Sequence, residues 1–587
     1  MKKYIYISAI SLCLCAVSCG YLDEEPYHYL TEEAALITEA NYLKPSNMAY
    51  SFIPDGYNCV GNAFLDCATD DAMATASGSN VHKLARGNVS ADSPILNPWA
   101  NCYRGIHQAL FAQYGLTTYK PFLAGKTEAA VEELLERYYN EMNALQALYG
   151  FILLQHYGGF PIIDEYMGLD DEEALEGKTR DTFADCVEHI VALCDSAANH
   201  LPVKLANSEV GRMTQGAALA IKAKTLVYAA SPLYNQEGNT NPLIGYTAAT
   251  VPSDYPEVTD RWKRAAAACA AVINLKGTGY ALVAANNSAA FNTAIFNANG
   301  NCAEWIVMKT AAKNNSMENR HYPPSLSKNN GGGTVPTQDL VNAFTKSDGS
   351  DISVMTDGTA TVYTGRDRRF DAFIAYEGCK TFASQIYTHI GDGATKDALN
   401  ATTDHSTTTG YYLAKHLSPK INFTAASPGT YFHIWPIIRF SDIYLLYAEA
   451  MVNGYGDFNV DPEGYGLTAL GAIQAIRKRA GYNASTDKFY NGITSAEDFM
   501  NKVVKRERRV ELCFEGQRYF DLRRWLDAEE VLNKPVHGVE ITKTGSNLAY
   551  KYFEADNRRT FTSNMYFSPI PKSVLKLNKA IQQNPGY

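Results

Sequence analysis

The chain is 587 residues long, carries a formal charge of −10, and is 46% hydrophobic and 19% charged. This is the composition of a globular protein rather than a disordered or fibrous one. The acidic balance and the lack of any basic block argue against nucleic acid as a partner. Tyrosine is abundant at 39 residues, which suits core packing and sugar stacking equally.

At the N-terminus, Lys2 and Lys3 precede an apolar run of about 14 residues that closes on Ser18-Cys19, the pattern of a secretory signal peptide. A membrane-spanning helix needs roughly 20 apolar residues, so the segment is too short to stay in a bilayer. Ala16-Val17-Ser18-Cys19 resembles a bacterial lipobox, although Leu is commoner than Ala at its first position. Residues 1–18 are then expected to be removed, with Cys19 lipidated; an ordinary signal peptide with a chance cysteine is the alternative. Several acyl chains on one cysteine hold a protein firmly to a membrane. Removal of residues 1–18 moves the charge to −12. Residues 19–30 then form an acidic tether, and Asp23-Glu24-Glu25 resembles the export signal that sends such lipoproteins to the outer face in Bacteroidetes.

Residues 128–157 place Val131, Leu134, Leu135, Tyr138, Met142, Leu145 and Ile152 at three-to-four spacing, which predicts one long amphipathic helix. Gly158-Gly159 and Pro161 stop it. A second helix begins near Thr214 and runs to Ser231-Pro232, with Ala217, Ala220 and Ala223 small enough for another helix to come close. A third covers residues 261–274. Further on, Ser441 can cap a helix carrying Ile443, Leu446, Tyr447 and Met451. Residues 467–480 form the next, with Gly481 just beyond its end. Thr494 and Glu497 read as a capping box for a helix turning Phe499, Val503, Val510 and Phe514 inward.

The expected fold is therefore mostly α. It is a tetratricopeptide-like scaffold of helical hairpins (31–280 and 436–587) around an irregular stretch of loops and short strands (281–435), where ligand contacts concentrate. In that stretch Trp305 to Met308 reads as a strand, while Asn, Gly, Thr and Ser accumulate around it. Nine cysteines remain in the mature chain, widely scattered and without a C-x-x-C pair, so most are expected to be core thiols. Cys186 and Cys194 share one helix face, and Cys59 and Cys67 are close enough in sequence to pair in a loop.

Several segments together resemble the SusD/RagB family of outer-membrane nutrient-binding lipoproteins. They are residues 145–161 (LQALYGFILLQHYGGFP), 211–228 (GRMTQGAALAIKAKTLVY), 336–341 (PTQDLV), 367–369 (DRR) and 439–450 (RFSDIYLLYAEA). Residues 476–481 (IRKRAG), 507–525 (ERRVELCFEGQRYFDLRRW), 569–571 (PIP) and 583–587 (QNPGY) complete the series, in the family's order. The resemblance implies four tetratricopeptide-like units, a variable ligand region, and a SusC-like TonB-dependent transporter covered by this protein as a lid. It implies an outer-membrane, cell-surface location and an oligosaccharide cargo, with a peptide cargo as the alternative. The charged residues of 507–525 are expected to be architectural, pairing as Arg508–Glu511 and Glu515–Arg518 at i,i+3.

A sugar site needs aromatic faces and planar polar groups. Two places offer them: Trp99, Asn101 and Tyr103 after Pro98, and Arg320, His321 and Tyr322 ahead of two prolines. Trp99 also reads as a core residue on one face with Tyr103 and Ile106, and Tyr322 reads equally as loop packing. A glycosidase would need two suitably spaced carboxylates, for which Asp164, Glu165 and the acids of 170–173 are the only candidates singled out. No H-E-x-x-H, G-x-S-x-G or phosphate-binding motif is present, and the chain is read as a binding protein rather than an enzyme. No cofactor is expected. Asp351, Asp357 and Asp367 could hold a structural calcium, but without EF-hand spacing.

Overall fold

The computed structural model describes residues 38–587 except 58, 121–124, 169–175, 249–256, 285–286, 297–300, 353–359 and 383. The signal peptide, Cys19 and the acidic tether expected from the sequence lie outside the described residues, as do Asp357 and the acids of 170–173.

Eight helices pack each on the next in chain order: α1 (Glu39–Ser51), α2 (Trp99–Tyr119), α3 (Glu128–Tyr157), α4 (Phe183–His200), α5 (Gln215–Ala230), α6 (Val258–Ile273), α7 (Phe440–Tyr455) and α8 (Ala469–Arg479). This is the stacked-hairpin scaffold expected from the periodicity. The starts of α3, α4, α5 and α8 are capped by Thr127, Thr182, Thr214 and Thr468, whose side chains accept backbone N–H groups left over in the first turn. α3 ends at Gly158 with φ 79°, where a Cβ would lie 2.2 Å from the Leu243 carbonyl oxygen, so only glycine fits. Ala217, Ala220 and Ala223 are fully buried where α5 runs between α4 and α6. Among the described residues no helix is long and apolar enough to cross a membrane.

Some boundaries differ from expectation. α6 begins at Val258, ahead of 261. α7 begins at Phe440, so Ser441 lies inside it and its hydroxyl takes a hydrogen bond from Arg439 instead of capping. Ser495, not Thr494, caps the following segment by accepting from the Asp498 N–H at 3.0 Å. That segment widens into a π-turn (Phe499–Val504) before α9 (Lys505–Leu512), and Phe514, with φ 59°, ends the run before α10 (Gln517–Arg524).

The strands are mostly short: β1 (Ala72–Ala74), β2 (Trp305–Lys309), β3 (Thr334–Pro336), β4 (Ile374–Ala375), β5 (Ile390–Gly391), β6 (Tyr412–Leu413) and β7 (Trp435–Arg439). β1–β3, β2–β7 and β4–β6 are antiparallel pairs. The two longest, β8 (Val536–Thr544) and β9 (Asn547–Asp556), make a hairpin with β5 running parallel to β8. They lie well beyond residue 435, in the part expected to be helical. The strand-and-loop stretch is also more than an overlay. It has its own apolar core, including Phe291, Phe344, Phe370, Phe373, Tyr411 and Tyr412, closed by Val539 of β8.

All nine cysteines among the described residues are free thiols and eight are buried, so the Cys59–Cys67 disulfide does not form.

Between the two cores lies a buried web of ions. Glu511 on α9 accepts from Arg369 at 3.0 Å and from Arg439 at 2.8 Å, and also pairs with Arg479. Glu515 pairs with Arg439 and with Lys415 at 2.7 Å each. Arg508 goes to Asp442 and Asp521, at 2.9 and 3.0 Å, and not to Glu511. Arg518 goes to Asp70 at 3.0 Å, and not to Glu515. The expected i,i+3 pairs are thus replaced by long-range ones, because α9 is buried and its charges need partners within the protein. Burial alone would raise the Glu511 pKa, but Arg479, Arg439, Arg369 and Lys415 hold it well below the usual carboxylate range.

Candidate ligand-binding cleft

A cleft of about 400 Å³ opens where the first turn of α2, the end of α3, the chain after α1 and the α9–α10 kink converge. Its size is within the range of small-ligand sites. The α2 edge is set by Asn97 and Pro98. The Asn97 side-chain oxygen accepts from the Trp99 N–H at 3.3 Å and from the Tyr157 hydroxyl at 3.0 Å, which ties the start of α2 to the end of α3. One turn further on, Asn101 is exposed and lines the cleft.

On the facing side, Phe52, Pro54, Asp55 and Gly56 follow α1. A Cβ at Gly56 would lie 2.1 Å from the Trp435 ring, so the backbone lies directly against the indole. Trp435 is held edge-on by Tyr57, with ring centroids 5.0 Å apart. Phe151, Ile152 and Gln155 of α3 form the floor, and Glu515, Gly516, Gln517 and Phe520 form the remaining wall. Lys224 at the base donates to Asp442 and to the Gln517 side-chain oxygen, both at 2.8 Å. His156 stays neutral because burial and the Arg523 charge push its pKa down to about 3. The cleft therefore combines apolar and aromatic surface with planar amides, of which Asn97, Gln155 and Gln517 are held by bonds within the protein and Asn101 is exposed, and with two carboxylates, Asp55 and the ion-paired Glu515. That combination suits a neutral, hydroxyl-rich ligand.

Of the residues expected at the site, Asn101 lies in the cleft. Trp99 does not: it is buried in the helical core, edge-on to Tyr157 at 5.1 Å and beside Tyr103. Tyr103 donates from its hydroxyl to the Pro161 carbonyl. Arg320, His321 and Tyr322 are elsewhere, at the end of the short helix Ser316–His321. Tyr322 is 2% exposed, packs on Phe382 and Phe423, and donates its hydroxyl to the carbonyls of Ser418 and Ile421, so it offers no stacking face. His321 is fully buried beside Phe64, and its pKa is pushed down to about 3 by burial and the charges of Arg320 and His433. Arg320 is exposed.

The expected calcium donors are engaged otherwise. Asp351 pairs with Arg506, and Asp367 is buried against Arg369. No cluster of metal-ligating side chains is found among the described residues. Asp164 and Glu165 are exposed and line no part of the cleft.

Trp435, Asp55, Asn97, Gln155 and Gln517 were not foreseen. Trp435 sits in an apolar run that reads as core strand, and the amides come from three distant segments. Asn97-Pro98, a turn-initiating dipeptide, was the one local signal available.

Comparison with known proteins places this geometry in a family. Residues 303–587 match the model of the SusD family, and residues 20–227 match a model described as starch-binding and associating with the outer membrane. No curated protein matches. Among solved structures, a SusD-like protein from Bacteroides fragilis is 22% identical, aligned over 96% of this chain and 100% of its own, with a TM-score of 0.75. Surface glycan-binding protein A from Bacteroides fluxus is 19% identical over 94% of this chain and 100% of its own, with a TM-score of 0.61. A laminarin-binding SusD-like protein is 18% identical over the same shares, with a TM-score of 0.57. Matched in both its N-terminal and its C-terminal part, and sharing the fold throughout, the chain belongs to the SusD family of carbohydrate-binding, outer-membrane-associated proteins.

Proposed function

We propose that this protein is a cell-surface lipoprotein that captures an oligosaccharide in the cleft at the start of α2 and passes it, uncleaved, to a SusC-like TonB-dependent transporter. The observation that carries the reading is the set of planar amides ringing apolar and aromatic surface in that cleft. It is supported by the family's starch-binding description and by relatives whose names record glycan and laminarin binding. The lipobox-like sequence at Cys19 supports anchoring to the outer membrane by lipid.

The test is a glycan array that also carries peptides, probed with the mature chain, followed by calorimetry on the double variant Asn101→Ala, Gln155→Ala. One glycan class bound without product release, with affinity lost in the variant, is the expected result. Peptide binding alone, or sugar release, would replace the reading. Cys19→Ala should abolish lipid labelling and membrane retention, and tagged protein should co-purify an outer-membrane barrel.

A further inference from the structure

The α9–α10 kink carries one wall of the cleft in a backbone shape that chains do not adopt freely. Phe514 has φ 59° and Gly516 has φ 70°. An aromatic residue takes that conformation only where its surroundings impose it. Three side chains do so. Lys415 donates to the carbonyls of Glu511 and Cys513 at 2.9 and 2.8 Å, and the His416 ring lies 3.0 Å from the Phe514 carbonyl oxygen. Asp66 accepts from the Phe514 N–H at 2.7 Å through one carboxylate oxygen and from the Gly516 N–H at 3.1 Å through the other.

Asp66 comes from the turn Leu65–Ala68, far away in sequence, and Leu65 of that turn lines the same cleft. Lys415 also pairs with Glu515, whereas among the described residues the Asp66 side chain bonds only to backbone N–H groups, those of Phe514 and Gly516 foremost. It is fully buried, and among the described residues no cation pairs with it. The titratable groups that face it are Asp71, from the approach to β1, the thiols of Cys59 and Cys67, and Cys513 at the end of α9. These four bring no positive charge, and the nearby cations are engaged elsewhere: Arg509 and Arg518 with Asp70 and Asp71, Arg559 with the Thr69 and Ala72 carbonyls, and Lys415 with Glu515. Burial, followed by the Asp71 charge, pushes the Asp66 pKa up to about 7. A carboxyl group that costs the fold when ionised, placed to brace a ligand-cleft wall, is what a site selected for binding rather than stability shows.

We propose that Asp66 is the positioning residue of the cleft: its buried side chain ties the Glu515–Gln517 wall to the Leu65–Ala68 turn, ionisation without a neighbouring cation weakens that tie, and the grip on ligand therefore loosens as pH rises. The chemistry is a proton transfer to solvent. Loss of the proton leaves a buried negative charge met only by N–H dipoles, which water solvates better once the wall lifts. The inference rests on the cleft being the glycan site.

The experiment uses the mature chain, wild type and Asp66→Asn, between pH 5.5 and 8.5, with two readouts. The first is hydrogen exchange at the Phe514 and Gly516 amides, corrected for intrinsic rates and referred to amides of α5. Wild-type protection should fall about tenfold across the range, and the variant should be flat. Wild-type protection unchanged over the range overturns the inference without any variant or ligand. The second is the Kd for laminarin as probe, which should weaken about tenfold from pH 6 to pH 8 in wild type only. Laminarin bound equally at both pH values overturns the inference and leaves the glycan reading standing. If laminarin fails to bind at every pH, that result counts against the laminarin class alone, and the exchange result decides on Asp66.

Discussion

Along α3 most buried side chains are apolar or aromatic, Leu145, Leu148, Leu153 and Tyr157 among them; along α9, three charged side chains, Glu507, Arg508 and Glu511, are buried beside Val510 and Leu512. Both helices are interior. The first is held by apolar area removed from water, and could pack against almost any apolar surface of matching shape. The second is held by named partners from distant segments: Glu507 by Arg369 and Arg477, Glu511 by Arg369, Arg439 and Arg479. Such a junction adds little net stability over an apolar one, but removing one member leaves a charge buried and unpaired. The stack supplies stability, and the junction fixes how the strand-and-loop part is seated on it, which in turn sets the cleft wall.

The comparison can be broken by substitution. Glu511→Ala takes one carboxylate from three buried arginines, leaving their charge under-compensated, and should cost about 3–5 kcal/mol, seen as a large drop in the chemical-denaturation midpoint. A loss under about 1 kcal/mol would mean the junction relaxes freely. Leu148→Ala in the stack should cost about 3 kcal/mol through transfer and cavity terms, with glycan affinity retained in the folded fraction.

The two regions also part in pH. Asp66, raised to about 7 when folded against an ordinary value of 3.8, contributes stability that is complete below about pH 4 and is lost as pH rises to 7. The slope from this group should approach about 1.4 kcal/mol per pH unit and flatten in Asp66→Asn. Asp442 has the opposite sign: Lys224 and Arg508, outweighing burial, lower it to about 2, so its contribution is present above about pH 4 and lost as pH falls towards 2. Thermal unfolding between pH 2 and 8 should therefore show a maximum in the acidic range. Tyr322→Phe removes only a buried hydroxyl bonded to carbonyls and should cost about 1 kcal/mol without changing glycan affinity; a change in affinity would return Tyr322 to the site. Asp351→Asn, a surface pair with Arg506, should leave the Tm unmoved.

What could be read from the sequence follows the same division. The stack was legible because an apolar stripe at helical spacing, a threonine cap and Gly158 are local signals, and α3 and α5 lie where they indicate. The junction was half legible. Its architectural role was foreseen, yet its pairs were assigned as Arg508–Glu511 and Glu515–Arg518, because spacing on one helix reveals only neighbours on that helix. Trp99 and Tyr322, expected at a sugar site, are buried and do not line the cleft for a related reason: aromaticity is visible in sequence, while its burial depends on Tyr157 and Phe382, which meet them only in the fold. Asn101, which lines the cleft, carries a local mark because it stands beside a helix start. Asp55, Gln155, Gln517 and Trp435 carry no local mark at all.

The most direct test of the account is calorimetric titration of the mature protein with the best glycan from the array, in wild type and in the Asn101→Ala, Gln155→Ala variant, with product analysis of the same mixture. The account predicts binding in wild type, at least a tenfold weaker Kd in a variant of unchanged Tm, and no new reducing ends. Unchanged affinity in the variant, or cleavage of the glycan, would contradict it.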